Sequence, residues 1–269
     1  MIMRKLIVFT LLASVFFLSS CKNDRANNPN YIKVGVESGP EFVVAQTVQK
    51  VAKEKYGLDV ELVEFNDYIL PNTALNDGDI DINIIQHKPF LDNIIKQRGY
   101  KLAIVGNTFI YPLAGYSKKI KSLDQLQPGS TIGIPNDATN RGRALLLLQK
   151  EGLIKLKDPK SLISSASDII ENPKNLKIVD MDPAILTEIL NDDKVAVAII
   201  NNTFAAKDGF TLKDGLFVED KDSPYMNVIV SREDNKDAEN VKTFVKAYQS
   251  DEVAETTDRE FKGGAVKGW

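Results

Sequence analysis

The sequence predicts an α/β fold in which mostly parallel sheets are flanked by helices. Two observations carry this. Short runs in which every second residue is apolar alternate with segments whose apolar residues recur at helical spacing. In addition, Val195 to Ile200 is apolar throughout, as a strand covered on both faces must be. The 269-residue length suits one large or two modest domains. No tandem repeat or long linker divides the chain, so two domains would have to share it through more than one crossing.

The first 20 residues stand apart from this body. Arg4 and Lys5 precede an apolar stretch from Leu6 to Leu18, and small residues lead up to Cys21. That order reads as a secretory signal over residues 1–20, too short to remain as a spanning helix. Leu18-Ser19-Ser20-Cys21 fits the bacterial lipobox, which makes Cys21 the expected lipidated N-terminus. It is the only cysteine in the chain, so it has no internal disulfide partner, and acylation removes a thiol that an oxidising compartment would attack. Each buried CH2 of an acyl chain contributes about 0.8 kcal/mol, so two or more chains form a stable anchor. Residues 22–30 are polar and read, with Cys21, as a lipidated tether over 21–30. Loss of the signal removes two cations and moves the net charge from −3 to −5. No basic stripe with interleaved aromatics is present, so nucleic acid is not an expected partner.

The elements follow in order. Ile32, Val34 and Val36 alternate as a strand, and Val44, Val48, Val51 and Ala52 mark a helix. Val60 and Leu62 open a second strand ending at Phe65. Ile80, Ile82 and Ile84 mark a third, and Pro89 to Gly99 reads as a helix closed by glycine. Leu102–Val105 and Phe109–Tyr116 are extended, and Thr131–Ile134 and Val195–Ile200 read as buried strands. Helices are expected near Arg143–Glu151, Ser167–Glu171 and Pro183–Leu190. Extended Pro224–Ser231 leads into a last helix carrying Val241, Phe244, Val245 and Tyr248 on one face. Phe109–Tyr116 and Pro224–Ser231 are the candidate crossings between domains.

In open parallel sheets ligands sit beyond the carboxyl ends of strands. The residues there are Asn66, Asp67 and Tyr68, then His87, the stretch from Asn136 to Arg143, Asn201 and Asn202, with Asn227 in the second crossing. The stretch Thr131–Arg143 holds a contradiction: a strand, stopped at Pro135, runs into a helix with Arg141 and Arg143 in its expected first turn. Cations there cost about 0.3–1 kcal/mol each, which calls for an anion nearby. Residues two apart on a helix face different ways, so at most one arginine points into a cleft as a carboxylate or phosphate receptor. A surface ion pair answers the same requirement. Phe65–Tyr68 equally suits a capped helix start, His87 a structural histidine, and Asn227 a bulge. One histidine without a mature cysteine predicts no metal site, no cofactor and no nucleophilic enzyme.

The stretches from Tyr31 to Gly39, Phe65 to Asn72, Gly78 to Asp92, Gly99 to Asp124, Ile134 to Gln149, Glu171 to Val179, Phe217 to Lys242 and Gly263 to Trp269 resemble the methionine-binding lipoproteins. These serve as substrate-binding subunits of methionine ABC transporters. The resemblance implies a two-lobed periplasmic-binding fold (type II-like), with lobe 1 from 31–110 and 228–269 and lobe 2 from 111–227. It implies capture of methionine, with L against D preference open, and delivery to a permease and its ATPase. The body would lie in the periplasm or extracytoplasmic space, tied to a bacterial membrane by lipid. By the same resemblance Arg143 holds the α-carboxylate and Asn201 and Asn227 the polar end. Tyr68 and His87 line the pocket, and Phe65 and Phe90 form an apolar wall for a thioether. Arg141 sits at a variable position and is expected to face solvent. Another apolar amino acid, a short peptide, or an adhesin or scaffold role are the alternatives.

Overall fold

The alternating residues after the leader form β1 (Tyr31–Glu37), with Ile32, Val34 and Val36 fully buried. Helix α1 (Pro40–Tyr56) follows, opened by a proline that needs no N–H there and closed by Gly57 at φ 67°. Its Val44, Val48, Val51 and Ala52 pack on β1, as their spacing requires. The alternation continues through β2 (Asp59–Phe65), α2 (Leu70–Asp77), β3 (Ile82–His87), α3 (Lys88–Arg98) and β4 (Leu102–Ile110). In this computed structural model residues 28–269 are described; the signal, Cys21 and tether residues 22–27 lie outside them.

The second set comprises β5 (Ala114–Tyr116), β6 (Thr131–Pro135), α4 (Ala138–Lys150), a small hairpin of β7 (Lys155–Leu156) and β8 (Ile169–Glu171), β9 (Lys177–Met181), β10 (Val195–Ile200), α5 (Asn202–Lys207) and β11 (Phe217–Val218). The chain then adds β12 (Met226–Arg232), α6 (Glu239–Tyr248), α7 (Asp251–Glu260) and β13 (Val266–Lys267). Two larger sheets result, ordered β13-β4-β12-β3-β1-β2 and β11-β5-β10-β6-β9. Each has a parallel block, β2-β1-β3 or β9-β6-β10, followed by one antiparallel strand, β12 or β5. Most strands of each sheet run in one direction, as expected, with antiparallel strands inserted among them. The antiparallel insertions are the strands next to the crossings, which enter their sheet from the opposite end.

The chain leaves the six-stranded sheet after Ile110 and joins the other at Ala114. It returns by Met226, which pairs with Ile110, and Asn227 pairs with His87. Asn227, expected at the end of lobe 2, thus belongs to the six-stranded sheet. Two expected helices are absent. Around Ser167–Glu171 a capping box from Ser165 to Asp168 closes one tight turn, and Ile169–Glu171 extends to pair with β7. Pro183–Leu190 divides into two short 3-10 turns, the first opened by Asp182.

Each sheet carries its own core. Leu145 and Leu148 of α4 pack on Ile132, Ile134, Val197 and Ile199, and burial of each such side chain contributes roughly 1.5–3 kcal/mol. Between the sheets, Lys207 at the end of α5 donates to Ser38 Oγ (2.6 Å) and Asn66 Oδ1 (3.0 Å), and Asn202 Nδ2 donates to the Gly264 carbonyl (2.8 Å). These bonds hold the strand ends of one sheet against those of the other. Among the described residues no helix is long and apolar enough to cross a membrane.

Candidate functional site

A pocket lies where these strand ends meet. The six-stranded side contributes Tyr68 from beyond β2, Ile85, Gln86 and His87 of β3, Phe90 of α3 and Asn227 of β12. The other side contributes Asn140 and Arg143 of α4, Asn201 just beyond β10, and Asn202 and Thr203 at the start of α5.

Arg143 is buried at 3% exposure. Asp137 caps α4, so Arg143 lies in the second turn of the helix and not the first, and the expected conflict with the helix terminus is displaced by one turn. The anion is in the chain: Nε donates to Glu219 Oε1 (2.9 Å) and Nη2 to Glu219 Oε2. Nη2 also reaches the Tyr111 carbonyl (2.9 Å), and the Tyr225 ring lies 4.3 Å from the guanidinium carbon. The requirement for an anion is therefore met within the chain, by an ion pair as one of the two readings allowed, though a buried pair and not a surface one. Neither partner uses Nη1, and Arg143 still lines the pocket. Arg141 turns to the outer side, half-buried, against Asp180 (3.2 Å) and the Ser164 carbonyl.

His87 ends β3 and caps α3, its Nδ1 accepting from the Phe90 N–H (3.1 Å). Nε2 then carries the proton and donates to Asn140 Oδ1 (3.1 Å). Burial, reinforced by the Arg143 charge, lowers its pKa to about 3, so the ring is neutral. Asn201 donates through Nδ2 to the same Asn140 oxygen (2.9 Å), and its own Oδ1 is buried without a hydrogen-bond partner. An orphaned buried acceptor costs roughly 1–3 kcal/mol, so it marks a position where a donor belongs. Asn227 stands opposite His87 in the ladder and opens on the pocket.

Aromatic side chains form the remaining wall. Tyr68 Oη is 2.9 Å from Thr203 Oγ1 across the two sheets, and its ring meets Phe90 edge-on at 6.1 Å and Phe204 at 5.0 Å. Phe65 does not line the pocket. It lies over Gly35 and packs with Leu75, Ile80 and Leu91. Of the expected site residues, Arg143, Asn227, Asn201, Tyr68, His87 and Phe90 converge, and Phe65 does not.

Glu219, Tyr225 and Asn140 were not expected in these roles. Asn140 reads in sequence only as helix-cap chemistry, and nothing local to Glu219 points to an arginine 76 residues earlier. The chemistry of the pocket is that of a receptor: one guanidinium edge, an unfilled amide oxygen and aromatic walls.

The comparisons agree with this chemistry. Residues 32–269 match the model of the NlpA lipoprotein family. The D-methionine-binding lipoprotein MetQ of Salmonella typhi is 65% identical over 253 residues, 94% of this chain and 93% of its own. The protein of that name from Yersinia pestis is 66% identical over 242 residues, 90% and 89% of the two chains. A crystal structure of the methionine-binding protein MetQ superposes with a TM-score of 0.88 at 65% identity, covering 90% of this chain and 99% of that one. A nutrient-binding protein from Burkholderia cenocepacia, solved bound to methionine, gives 0.86 at 48% identity, over 88% and 100%.

Proposed function

This chain belongs to the NlpA lipoprotein family, and from that premise we propose that it captures free methionine between its two lobes and delivers it to an ABC transporter. The relatives named for methionine binding and the methionine-bound neighbour support the ligand. The observation that carries the reading is the placement of opposite needs in one buried pocket. Arg143 offers an unused guanidinium nitrogen, Nη1, and Asn201 offers an acceptor with no donor. An α-amino acid carries the carboxylate for the first and the ammonium for the second. Glu219 and the Tyr111 carbonyl hold the guanidinium plane, leaving Nη1 to meet the carboxylate. Asn227 is the second amide beside the ammonium. Tyr68, His87 and Phe90 surround the thioether, where sulfur against aromatic edges contributes about 0.3–1.5 kcal/mol.

Contacts from both sheets to one small molecule shift the lobes toward the closed arrangement, because only a ligand with higher affinity for that arrangement can favour it. The lobes are 31–110 with 226–269, and 111–225. The function is binding and not catalysis. The protein works in the cell envelope, outside the cytoplasm, anchored through lipidated Cys21, and presents its cargo to a permease driven by its ATPase.

Calorimetry with methionine tests the assignment. Arg143→Ala is expected to weaken binding by at least about 1.5–3 kcal/mol, the range for a charge-assisted bond. Unchanged affinity in a folded variant removes Arg143 from the site. Mass spectrometry of the small molecule released on denaturation identifies the cargo, and an apolar amino acid other than methionine or a short peptide would replace the ligand assignment.

A further inference from the structure

The hydrogen-bond direction of the pocket amides is set from outside the pocket. Asp137, the cap of α4, accepts from the Asn140 N–H (2.9 Å) and Thr139 Oγ1 (3.0 Å) with one oxygen and from Asn140 Nδ2 (2.9 Å) with the other. A carboxylate only accepts, so Asn140 turns its nitrogen to Asp137 and its oxygen away. That oxygen receives His87 Nε2 from the six-stranded side and Asn201 Nδ2 from the other. Neither donor can be replaced by an acceptor without breaking the chain. His87 Nδ1 is already committed to the Phe90 N–H, and Asn201 must present Nδ2, which leaves its Oδ1 as the free end.

We propose that Asp137 is a positioning residue that acts through Asn140 to orient Asn201, so that the pocket meets the ligand ammonium with an oxygen. This rests on the amino-acid reading of the pocket and adds to it the group that gives the pocket its polarity. It also explains how two neutral amides serve a cation without a carboxylate beside it. The acid stands one amide removed, where it directs dipoles without forming an ion pair that release of the ligand would have to break.

Asp137→Asn isolates this role, because asparagine caps a helix as well as aspartate does. Its Oδ1 still accepts from the Asn140 N–H, but its Nδ2 faces the Asn140 nitrogen. Asn140 then turns its oxygen to residue 137, and its nitrogen meets two donors. Asn201 relieves this by turning its own oxygen inward, which presents an NH2 group to the ammonium. The exchange Asp137→Asn with Asn140→Asp restores an all-acceptor group at position 140 and so the original direction.

The experiment is calorimetry of the parent, Asp137→Asn and the exchange variant with two probes: methionine, and 4-(methylthio)butanoic acid, which lacks the ammonium. Asp137→Asn is expected to weaken methionine by about tenfold or more while changing the deaminated acid by less than about threefold, and the exchange is expected to restore methionine to within about threefold. Equal losses for both probes, no loss in Asp137→Asn, or a folded exchange variant that stays weak would each overturn the assignment. Should Asp137→Asn fail to fold, the exchange variant still decides by the same criterion. A parent that binds no methionine refutes the amino-acid reading itself, which separates the two failures.

Discussion

Replacing Glu41 by glutamine removes a carboxyl group that the fold holds at 4% exposure in the first turn of α1. Its neighbour Glu37, at the end of β1, is 1% exposed. Tyr111, Tyr248, Thr203 and Lys207 face the pair. Burial raises the Glu41 pKa to about 8, and it raises Glu37 well above the usual carboxylate range, with the Glu41 charge adding to the effect. The favourable helix-terminus term for an ionised Glu41 is about 0.3–1 kcal/mol and cannot offset this. The folded state thus keeps protons that the unfolded chain releases near pH 4.3–4.5. The contribution of Glu41 to stability is full below that range, falls as pH rises toward about 8, and levels above it. For Glu41 alone the loss is roughly 3–5 kcal/mol, at about 1.4 kcal/mol for each pH unit. Urea unfolding of parent and Glu41→Gln at half-unit intervals from pH 5 to 9 measures it. The variant is expected to have the shallower curve and the greater stability at pH 8. Parallel curves would show that Glu41 ionises freely in the folded protein, and the reasoning from burial would fail.

His87 has the opposite linkage. Its folded pKa, about 3, lies below its unfolded value, so protonation of the unfolded chain erodes stability as pH falls below about 6.5. As the single histidine of the chain it is observed without ambiguity by NMR in protein freed of any tag, and its ring is expected not to titrate between pH 5 and 8; a midpoint near 6.5 would refute its burial beside Arg143. Gly142→Ala sets helix propensity, a gain of about 1 kcal/mol, against a clash. A Cβ at Gly142 would lie 2.6 Å from the Leu162 carbonyl carbon and closer to its oxygen, both backbone atoms that cannot turn aside. The clash is expected to dominate, with a net loss of about 1–2 kcal/mol in denaturant unfolding, and a stabilised variant would show that the 161–168 segment yields.

Local patterns carried most of the framework. The alternation at Ile32–Val36, the helical spacing from Val44 to Ala52 and the proline and glycine around α3 are written within a few residues of each other, and each formed the expected element. Strand ends also marked where polar groups would gather, because a parallel block opens its carboxyl ends to one side. The failures share a cause in distance. Ile169–Glu171 became a strand because β7 lies beside it, and the segment after Pro183 buries Leu186 and Leu190 from two short turns instead of one helix. Phe65 has the composition of a pocket wall, but the pleat of β2 turns it onto Gly35 and the cluster under α2.

Charge shows the division most clearly. The unusual arginines after β6 and the need for an anion near them are visible in thirteen consecutive residues. That the anion is Glu219, and that Asn140 ties His87 to Asn201, depends on which segments the two crossings bring together. Spacing along the chain encodes periodicity and caps, since these are satisfied among neighbours. The partner of a buried charge or amide is chosen by the packing of strands remote in sequence, and burial then turns that choice into several kcal/mol.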